Sequence, residues 1–230
     1  MTREQFELIY KDSTLTGDQW EQLWLKMRMG RFGASEVHRL MSTSKSTGLE
    51  TYVHEKVSEI VTGDREGTYT NQYMEDGNTQ EINAAKEYMK RNNCVLTLKT
   101  YCKIGDHVGC SSDGIDINRK RVIEIKCPMF KTHLKYLAIN SNKDLLSVSK
   151  KYYAQCQMNI WALDFKVCDF ITYYPPEYLD FPVTHYKQVE IKRDNNFIKE
   201  LLKGLDKAID YKIDLLKKIG YTKTKAISQG

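Results

Sequence analysis

Apolar residues recur every three or four positions in the first part of the chain, a spacing typical of amphipathic helices. Trp20, Leu23, Trp24 and Met27 follow it. Later stretches repeat the pattern, and the helices predicted in this way cover 17–31, 33–41, 52–61, 78–91, 147–163 and 195–219. Glycines and polar residues predict loops at 42–48 and 63–77.

From Val95 onward the pattern changes to an alternation of apolar and polar residues, which is typical of half-buried strands. The predicted strands cover 95–104, 114–118, 121–126, 167–174 and 184–192. Helices before and after a central sheet predict an α/β fold. Within the helix at 147–163, we expect Tyr153, Cys156, Ile160 and Leu163 to face the core.

The chain length favours a single domain, 1–230. Within it we expect a mainly helical part at 1–94, a sheet with one helix at 95–192, a C-terminal helix at 193–219 and a flexible tail at 220–230. No apolar run approaches the roughly 18 residues required to span a bilayer. The first residues lack the apolar core of a signal peptide. We therefore expect a soluble, cytoplasmic protein with no membrane partner.

Composition adds only mild constraints. The 230 residues are 41% hydrophobic, enough for a packed core. Lys and Arg exceed Asp and Glu by 35 − 30 = 5, which permits a phosphate-rich partner without demanding one. The six cysteines are dispersed and form no CxxC pair, so we expect reduced, mostly buried thiols rather than disulfides, a zinc site or an iron–sulfur cluster.

The segment GCSSDGIDINRKRVIEIKCP holds two predicted strands joined by a short basic turn. Such a turn would pair Ile117 with Arg121 in a hairpin. The same register places Gly114 opposite Glu124. Asp113 would then lie next to the carboxylate of Glu124.

Lys126 shares a strand face with Glu124, so two carboxylates and one ammonium would converge at one end of the hairpin. Carboxylates at close range repel unless a cation lies between them. All-oxygen ligation suits Mg²⁺ or Mn²⁺, ions that activate water and polarise phosphoryl oxygens. Lys126 could orient or deprotonate that water, or stabilise transition-state charge. A turn aspartate beside an ordinary surface Glu–Lys pair would give the same pattern.

The positions Asp113, Glu124 and Lys126 resemble the PD-(D/E)xK nuclease signature, with Ser112 in place of the proline. Further ordered blocks resemble the lambda exonuclease (YqaJ-type) group of phage recombination nucleases: MRMGRFGASEVHRL, EDGNTQE, GCSSDG, IEIKCP and YYAQCQMNIWAL. These blocks lie between about Trp20 and Tyr174. The resemblance implies a restriction-endonuclease-like core, a central mixed β-sheet flanked by helices.

The resemblance also implies a metal site. Asp113, Glu124 and the carbonyl of Ile125 match metal ligands of the family, and Lys126 matches its catalytic lysine. Glu81 matches an upstream helical acid that completes the ligand set, although a solvated helix residue would look the same. Two Mg²⁺ ions are implied, for which Mn²⁺ could substitute.

A site for the 5′-phosphate of a DNA end is implied at four positions: Arg28, Ser35, Ser111 and Gln155. Arg28 offers a planar fork to phosphate oxygens, or could instead pair with a surface acid. Ser35 stands at a predicted helix start, where an anion is favoured, and could equally be an N-cap. Gln155 shares a helix face with Tyr152 and Asn159, away from the predicted core, which favours a pocket.

Two loops carry further candidates. The resemblance suggests that Tyr73 and Met74 form an apolar wedge that parts the duplex end, although a hydrophobic loop anchor is an equal alternative. Lys45 could follow the DNA backbone, or could simply be solvated.

Taken together, the resemblance implies a Mg²⁺-dependent 5′-to-3′ exonuclease. Such an enzyme degrades linear double-stranded DNA to mononucleotides and leaves a 3′ single strand for phage-type homologous recombination. A homotrimer and a single-strand annealing partner are implied in the same way. The alternatives are a site-specific or structure-specific endonuclease of the same fold, and a DNA-end-binding module without chemistry. The complete set of Asp113, Glu124 and Lys126 argues against the last.

Overall fold

A computed structural model describes residues 6–11, 13–41, 47–64 and 72–221, and it describes only the backbone of residues 47 and 72–78. Some predictions fall outside the described residues. They concern the loop residue Lys45, the side chains of Tyr73 and Met74, and the tail from residue 222 onward.

The described part contains seven α-helices and two 3₁₀-helices. The α-helices are α1 (Gly17–Arg28), α2 (Thr47–Thr62), α3 (Gln72–Asn92), α4 (Phe130–Leu137), α5 (Asn142–Val148), α6 (Lys150–Leu163) and α7 (Asn195–Lys218). The 3₁₀-helices cover Ala34–Met41 and Pro176–Tyr178.

The strands of the described part form two mixed four-stranded sheets. The first contains β1 (Phe6–Tyr10), β2 (Phe32–Gly33), β3 (Thr100–Ile104) and β4 (Val108–Cys110), in the order β1-β3-β4-β2. The second contains β5 (Gly114–Asp116), β6 (Arg121–Lys126), β7 (Val167–Tyr173) and β8 (Tyr186–Lys192), in the order β5-β6-β7-β8. Strands β6 and β7 are parallel and their outer neighbours are antiparallel. The predicted α/β class is confirmed.

Helix α6 packs against both sheets. Its face with Tyr153, Cys156, Ile160 and Leu163 joins the core of the second sheet, as the spacing predicts. Another face contributes to the core that the first sheet shares with α2 and α7. Because α6 is nearly all buried, its polar side chains lie inside the molecule, and some of them reach the candidate site.

Helix α3 covers the opposite face of the second sheet, against Ile123 and Ile125. A buried polar contact fixes this packing: the Tyr88 hydroxyl donates to the Asp169 carboxylate over 2.7 Å. Arg121 donates two hydrogen bonds of 2.6 Å to the same carboxylate. The charge of Asp169, which is fully buried, is therefore paired as such a charge requires.

Several predicted bounds are wrong. Helix α3 begins at Gln72, inside the predicted loop 63–77, because a glycine within a helix costs only about 1 kcal/mol and does not end it. The predicted helix 147–163 is interrupted at Ser149, whose extended backbone ends α5 and whose hydroxyl caps α6. The prediction lacks strands β1, β2 and β4 and helix α4, and strand β3 begins at Thr100 rather than at residue 95.

The cysteine side chains agree with the prediction of reduced, mostly buried thiols. All six cysteines are free, and four of them are buried. Within the described ranges no helix has the length and apolar character needed to cross a membrane.

Candidate active site

The hairpin of β5 and β6 forms, but its register differs by one residue from the prediction. Asp116, rather than Ile117, pairs with Arg121, because Asp116 accepts the backbone N–H of Arg119 and holds a four-residue turn. Continued by one residue, this register places Asp113 itself across from Glu124. The Asp113 carboxylate accepts a hydrogen bond of 2.6 Å from the backbone N–H of Ile125. This bond holds Asp113 against strand β6, which carries Glu124 and Lys126.

Glu124 and Lys126 point to the same side of β6 and form a close ion pair. The Lys126 amine lies 2.5 Å from one oxygen of Glu124 and 3.9 Å from Asp113. The second oxygen of Glu124 accepts a hydrogen bond of 3.2 Å from Asn159 on α6. The predicted convergence of two carboxylates and one ammonium is therefore present, and Glu124 is fully buried.

Glu81, on α3, belongs to the same electrostatic cluster. Burial, followed by the nearby Asp113 carboxylate, raises the pKa of Glu81 to about 7. The same two causes, in the same order, raise the pKa of Glu124 to about 8. Burial opposes the charge of Lys126, but Glu124, Asp113 and Glu81 more than offset it and raise the pKa of the amine. The site thus holds a charged amine among crowded carboxylates.

A cleft of about 420 Å³ opens over these residues. Asp113, Glu81 and Ile125 lie in its wall. The same cleft is lined by all four residues predicted to bind a 5′-phosphate: Arg28, Ser35, Ser111 and Gln155. Residues from positions 28 to 155 of the chain therefore meet in one depression.

The phosphate-site candidates are held by contacts with their neighbours. The Arg28 guanidinium stacks on the Trp24 ring, with 4.1 Å between its central carbon and the ring centroid. Ser111 accepts a hydrogen bond of 3.4 Å from the Trp24 indole and donates one of 2.9 Å to the Thr100 carbonyl. Arg28 also lines a smaller adjoining cavity of about 120 Å³ with Arg31 and Ser35.

Gln155 and Ser35, two of the candidate phosphate-binding residues, lie on α6 and on a 3₁₀-helix. Gln155 is only 7% exposed, yet its amide makes no hydrogen bond to any residue that the structure describes. An amide in this position is free to bind a ligand in the cleft. Ser35 lies within the first turn of the 3₁₀-helix that begins at Ala34, and it lines both the cleft and the smaller adjoining cavity.

The donor chemistry of the site suits a hard divalent cation, since Glu81 and Asp113 line the cleft and Lys126 contacts both Asp113 and the buried Glu124. Burial, followed by repulsion from Asp113, raises the pKa of both Glu81 and Glu124, and a cation bound among these carboxylates would oppose that rise. Among the described residues, however, no group of three His, Cys, Asp or Glu side chains is placed to hold an ion without movement. The Lys126 amine occupies one oxygen of Glu124, so an ion bound at that oxygen would displace it.

The contacts of Asn159 and Trp24 in the site were not predicted from the sequence. Asn159 bonds Glu124, and its spacing of four from Gln155 on α6 could have shown it. Trp24 supports both Arg28 and Ser111, but its helical spacing with Trp20 predicted only a core residue.

Comparisons with known proteins agree with this geometry. The YqaJ-like viral recombinase domain matches residues 23–166. The alkaline exonuclease LHK-Exo from Laribacter hongkongensis superposes with a TM-score of 0.71 at 22% identity, over 89% of this chain and 99% of that one. LHK-Exo in complex with dAMP gives 0.72 at 23% identity, over 91% and 100%.

A phage-related exonuclease from Haemophilus somnus 129PT gives a TM-score of 0.64 at 18% identity, over 82% of this chain and 96% of that one. No curated protein matches this chain. These structures share its fold, the restriction-endonuclease-like core that the resemblance implied. Because the domain match covers more than half of the sequence, the chain belongs to the YqaJ-like viral recombinase family.

Proposed function

We propose that this protein is a Mg²⁺-dependent 5′-to-3′ exonuclease that degrades linear double-stranded DNA from ends bearing a 5′-phosphate. One observation carries the proposal. The cluster of Asp113, Glu124 and Lys126 adjoins the same cleft as Arg28 and Gln155. This proximity supports a single nucleotide site, in which one group of residues would cut a phosphodiester and the other would bind the terminal phosphate.

In this proposal Asp113, Glu124 and the Ile125 carbonyl hold the metal, and Glu81 completes the ligand set. When bound, a divalent ion lowers the pKa of a coordinated water and neutralises charge on phosphoryl oxygens. Mn²⁺, which has similar ligand preferences, is expected to substitute. Asn159 keeps the Glu124 carboxylate oriented through its hydrogen bond.

Lys126 acts through its charge. In the protein without metal, the carboxylates of Glu124, Asp113 and Glu81 raise the pKa of the amine and so favour its charged form. The charged amine is placed to stabilise the extra negative charge that develops on the phosphate in the transition state. Of the roles open to this lysine from the sequence, electrostatic stabilisation is the one that its environment supports.

The terminal 5′-phosphate would be bound by Arg28, Ser35, Ser111 and Gln155. This binding would determine which phosphodiester lies beside the carboxylates. Arginine binds phosphate oxygens in a planar, two-point manner, and the stacked Trp24 ring restricts its orientation. The Gln155 amide, which the described protein leaves unbonded, would donate to a phosphate oxygen. Cleavage one nucleotide from the end would release mononucleotides.

The proposal extends to assembly and partners on the strength of the family alone. A homotrimer around the DNA would keep the enzyme on its substrate, and a single-strand annealing protein would use the 3′ strand. Light scattering of the purified protein tests the trimer. A measured mass equal to that of the monomer would contradict it.

The central test compares linear duplexes with 5′-phosphate and 5′-hydroxyl ends, together with closed circular DNA, in Mg²⁺ and in a chelator. We expect rapid loss of the phosphorylated linear duplex alone, and only with metal. Indifference to the end group would remove the assigned role of Arg28 and Gln155. Cleavage of closed circles would show an endonuclease instead.

The variant Lys126→Gln tests the role of Lys126 in cleavage. The control is Lys203→Gln, because Lys203 is an exposed lysine on α7. We expect Lys126→Gln to lose at least about 100-fold in turnover, in line with the loss of one transition-state contact. It should still bind phosphorylated ends and should melt as a folded protein. Equal digestion by the two variants would reject the role of Lys126.

A further inference from the structure

Lys99 is an exposed lysine in the wall of the candidate cleft, which it lines together with Asp113, Ser111 and Gln155. It forms no ion pair with any residue in the part of the chain that the structure describes, although carboxylates line the same cleft. A cation that faces a nucleotide site and is not neutralised by its own protein is available to a phosphate.

The backbone of Lys99 adopts a left-handed conformation, with a φ of 55°. A non-glycine residue in that region is unfavourable by about 1 kcal/mol or more, and asparagine and glycine are the residues that usually occupy it. Strain of this kind beside a cleft motivates the hypothesis that Lys99 has a function there.

The backbone on both sides of Lys99 is anchored by hydrogen bonds. Thr97 exchanges two backbone hydrogen bonds of 2.9 Å with Ile115 on β5, two residues after Asp113. Thr100 begins β3, and its carbonyl accepts the hydroxyl of Ser111 over 2.9 Å. The backbone of Lys99 is therefore connected on one side to the strand that follows Asp113 and on the other to Ser111 of the proposed 5′-phosphate site.

We propose that Lys99 binds a backbone phosphate of the strand that is being degraded, internal to the terminal phosphate. This inference rests on the proposed function, because it assumes that the cleft takes a DNA strand. Its role would be to hold the strand without taking part in the chemistry. A contact that is equal in ground state and transition state affects KM and leaves kcat unchanged.

Lys99→Asn removes the charge and keeps a residue that accepts the left-handed backbone, whereas Lys99→Arg keeps the charge. Lys103→Asn is the matched control, since Lys103 lies on β3, outside the cleft, and faces Glu7 at 3.7 Å. Melting curves establish that each variant is folded. The readouts are kcat and KM on linear phosphorylated duplex, and the affinity for the same DNA in chelator over a range of salt concentrations.

Loss of one phosphate contact lowers the slope of log affinity against log salt by about 0.7 to 0.9 and weakens binding roughly five- to eightfold at 0.1 M salt. We expect Lys99→Asn to show this loss, with a corresponding rise in KM and an unchanged kcat, and Lys99→Arg and Lys103→Asn to behave like the wild type. An unchanged slope in Lys99→Asn, or an equal change in Lys103→Asn, would overturn the proposal.

The two proposals fail in different ways. A wild type that binds DNA but degrades none would defeat the exonuclease, and the Lys99 contact would then be decided by the salt dependence of binding. A wild type that degrades DNA while Lys99→Asn matches it in KM and slope would defeat the Lys99 contact alone. A wild type that binds no DNA would defeat both.

Discussion

Replacing Lys212 with methionine is expected to change how the stability of the protein depends on pH. Lys212 lies on α7 and is only 1% exposed. Its amine donates a hydrogen bond of 2.7 Å to the Gly30 carbonyl and lies 5.0 Å from the centroid of the Phe32 ring. The N–H of Gly30 donates to buried Glu59 over 2.8 Å, so charged groups from two helices hold the turn that follows Arg28.

The environment of Lys212 disfavours its charge. Burial, followed by the like charges of Arg31 and Lys56, lowers the pKa of the amine from 10.5 to about 8, despite the opposing carboxylates of Asp106 and Glu59. Because the folded pKa lies below the unfolded one, the energetic cost is complete below about pH 8 and is relieved as the pH rises toward 10.5. From pH 7 to 9.5 this linkage amounts to about 2 kcal/mol in favour of the folded wild type.

Urea unfolding of the wild type, Lys212→Met and the exposed-site control Lys203→Met at pH 7 and 9.5 measures this difference. Other groups titrate in the same range, so the relevant quantity is the change in unfolding free energy relative to Lys212→Met. Between pH 7 and 9.5, we expect the unfolding free energy of the wild type and of Lys203→Met to rise by about 2 kcal/mol relative to that of Lys212→Met. Parallel profiles for all three proteins, or a relative loss by the wild type, would refute the assigned environment of Lys212.

Two further predictions concern stability alone. Gly204→Ala on α7 would place its Cβ 2.4 Å from the Leu40 carbonyl oxygen, so we expect a loss of about 1–3 kcal/mol by urea unfolding, where better helix propensity alone would give a small gain. Tyr88→Phe removes the hydrogen bond to buried Asp169 and should cost about 1.5–3 kcal/mol. The same substitution at Tyr186, whose hydroxyl bonds a neutral amide at 3.3 Å, should cost less, and equal losses would count against the charged contact.

The sequence predicts the long helices and the central strands because their spacing is strong and local. The apolar stripe of α6 and the bounds of β6 agree with the structure. The register of the hairpin was wrong by one residue because it depends on Asp116 folding back to bind the Arg119 backbone, which no periodicity reports. That shift mattered little for the site, since Asp113 still lies beside Glu124 on either register.

The site itself could be only partly predicted. The charged residues occur in a recognisable order along the chain. The residues that hydrogen-bond to them or pack against them come from distant elements. Asn159 reaches Glu124 from α6, and Trp24 reaches Ser111 from α1 across 87 positions. Lys99 gives no signal in the sequence, because its place in the cleft depends on a left-handed backbone.

Diffraction at the manganese absorption edge, from crystals soaked in Mn²⁺, tests the central claim most directly. We expect an anomalous peak about 2.0–2.3 Å from carboxylate oxygens of Asp113 and Glu124, with the Lys126 amine displaced from its present 2.5 Å contact with Glu124. A fully occupied peak elsewhere, or no peak while the Lys126–Glu124 pair stays closed, would contradict the account.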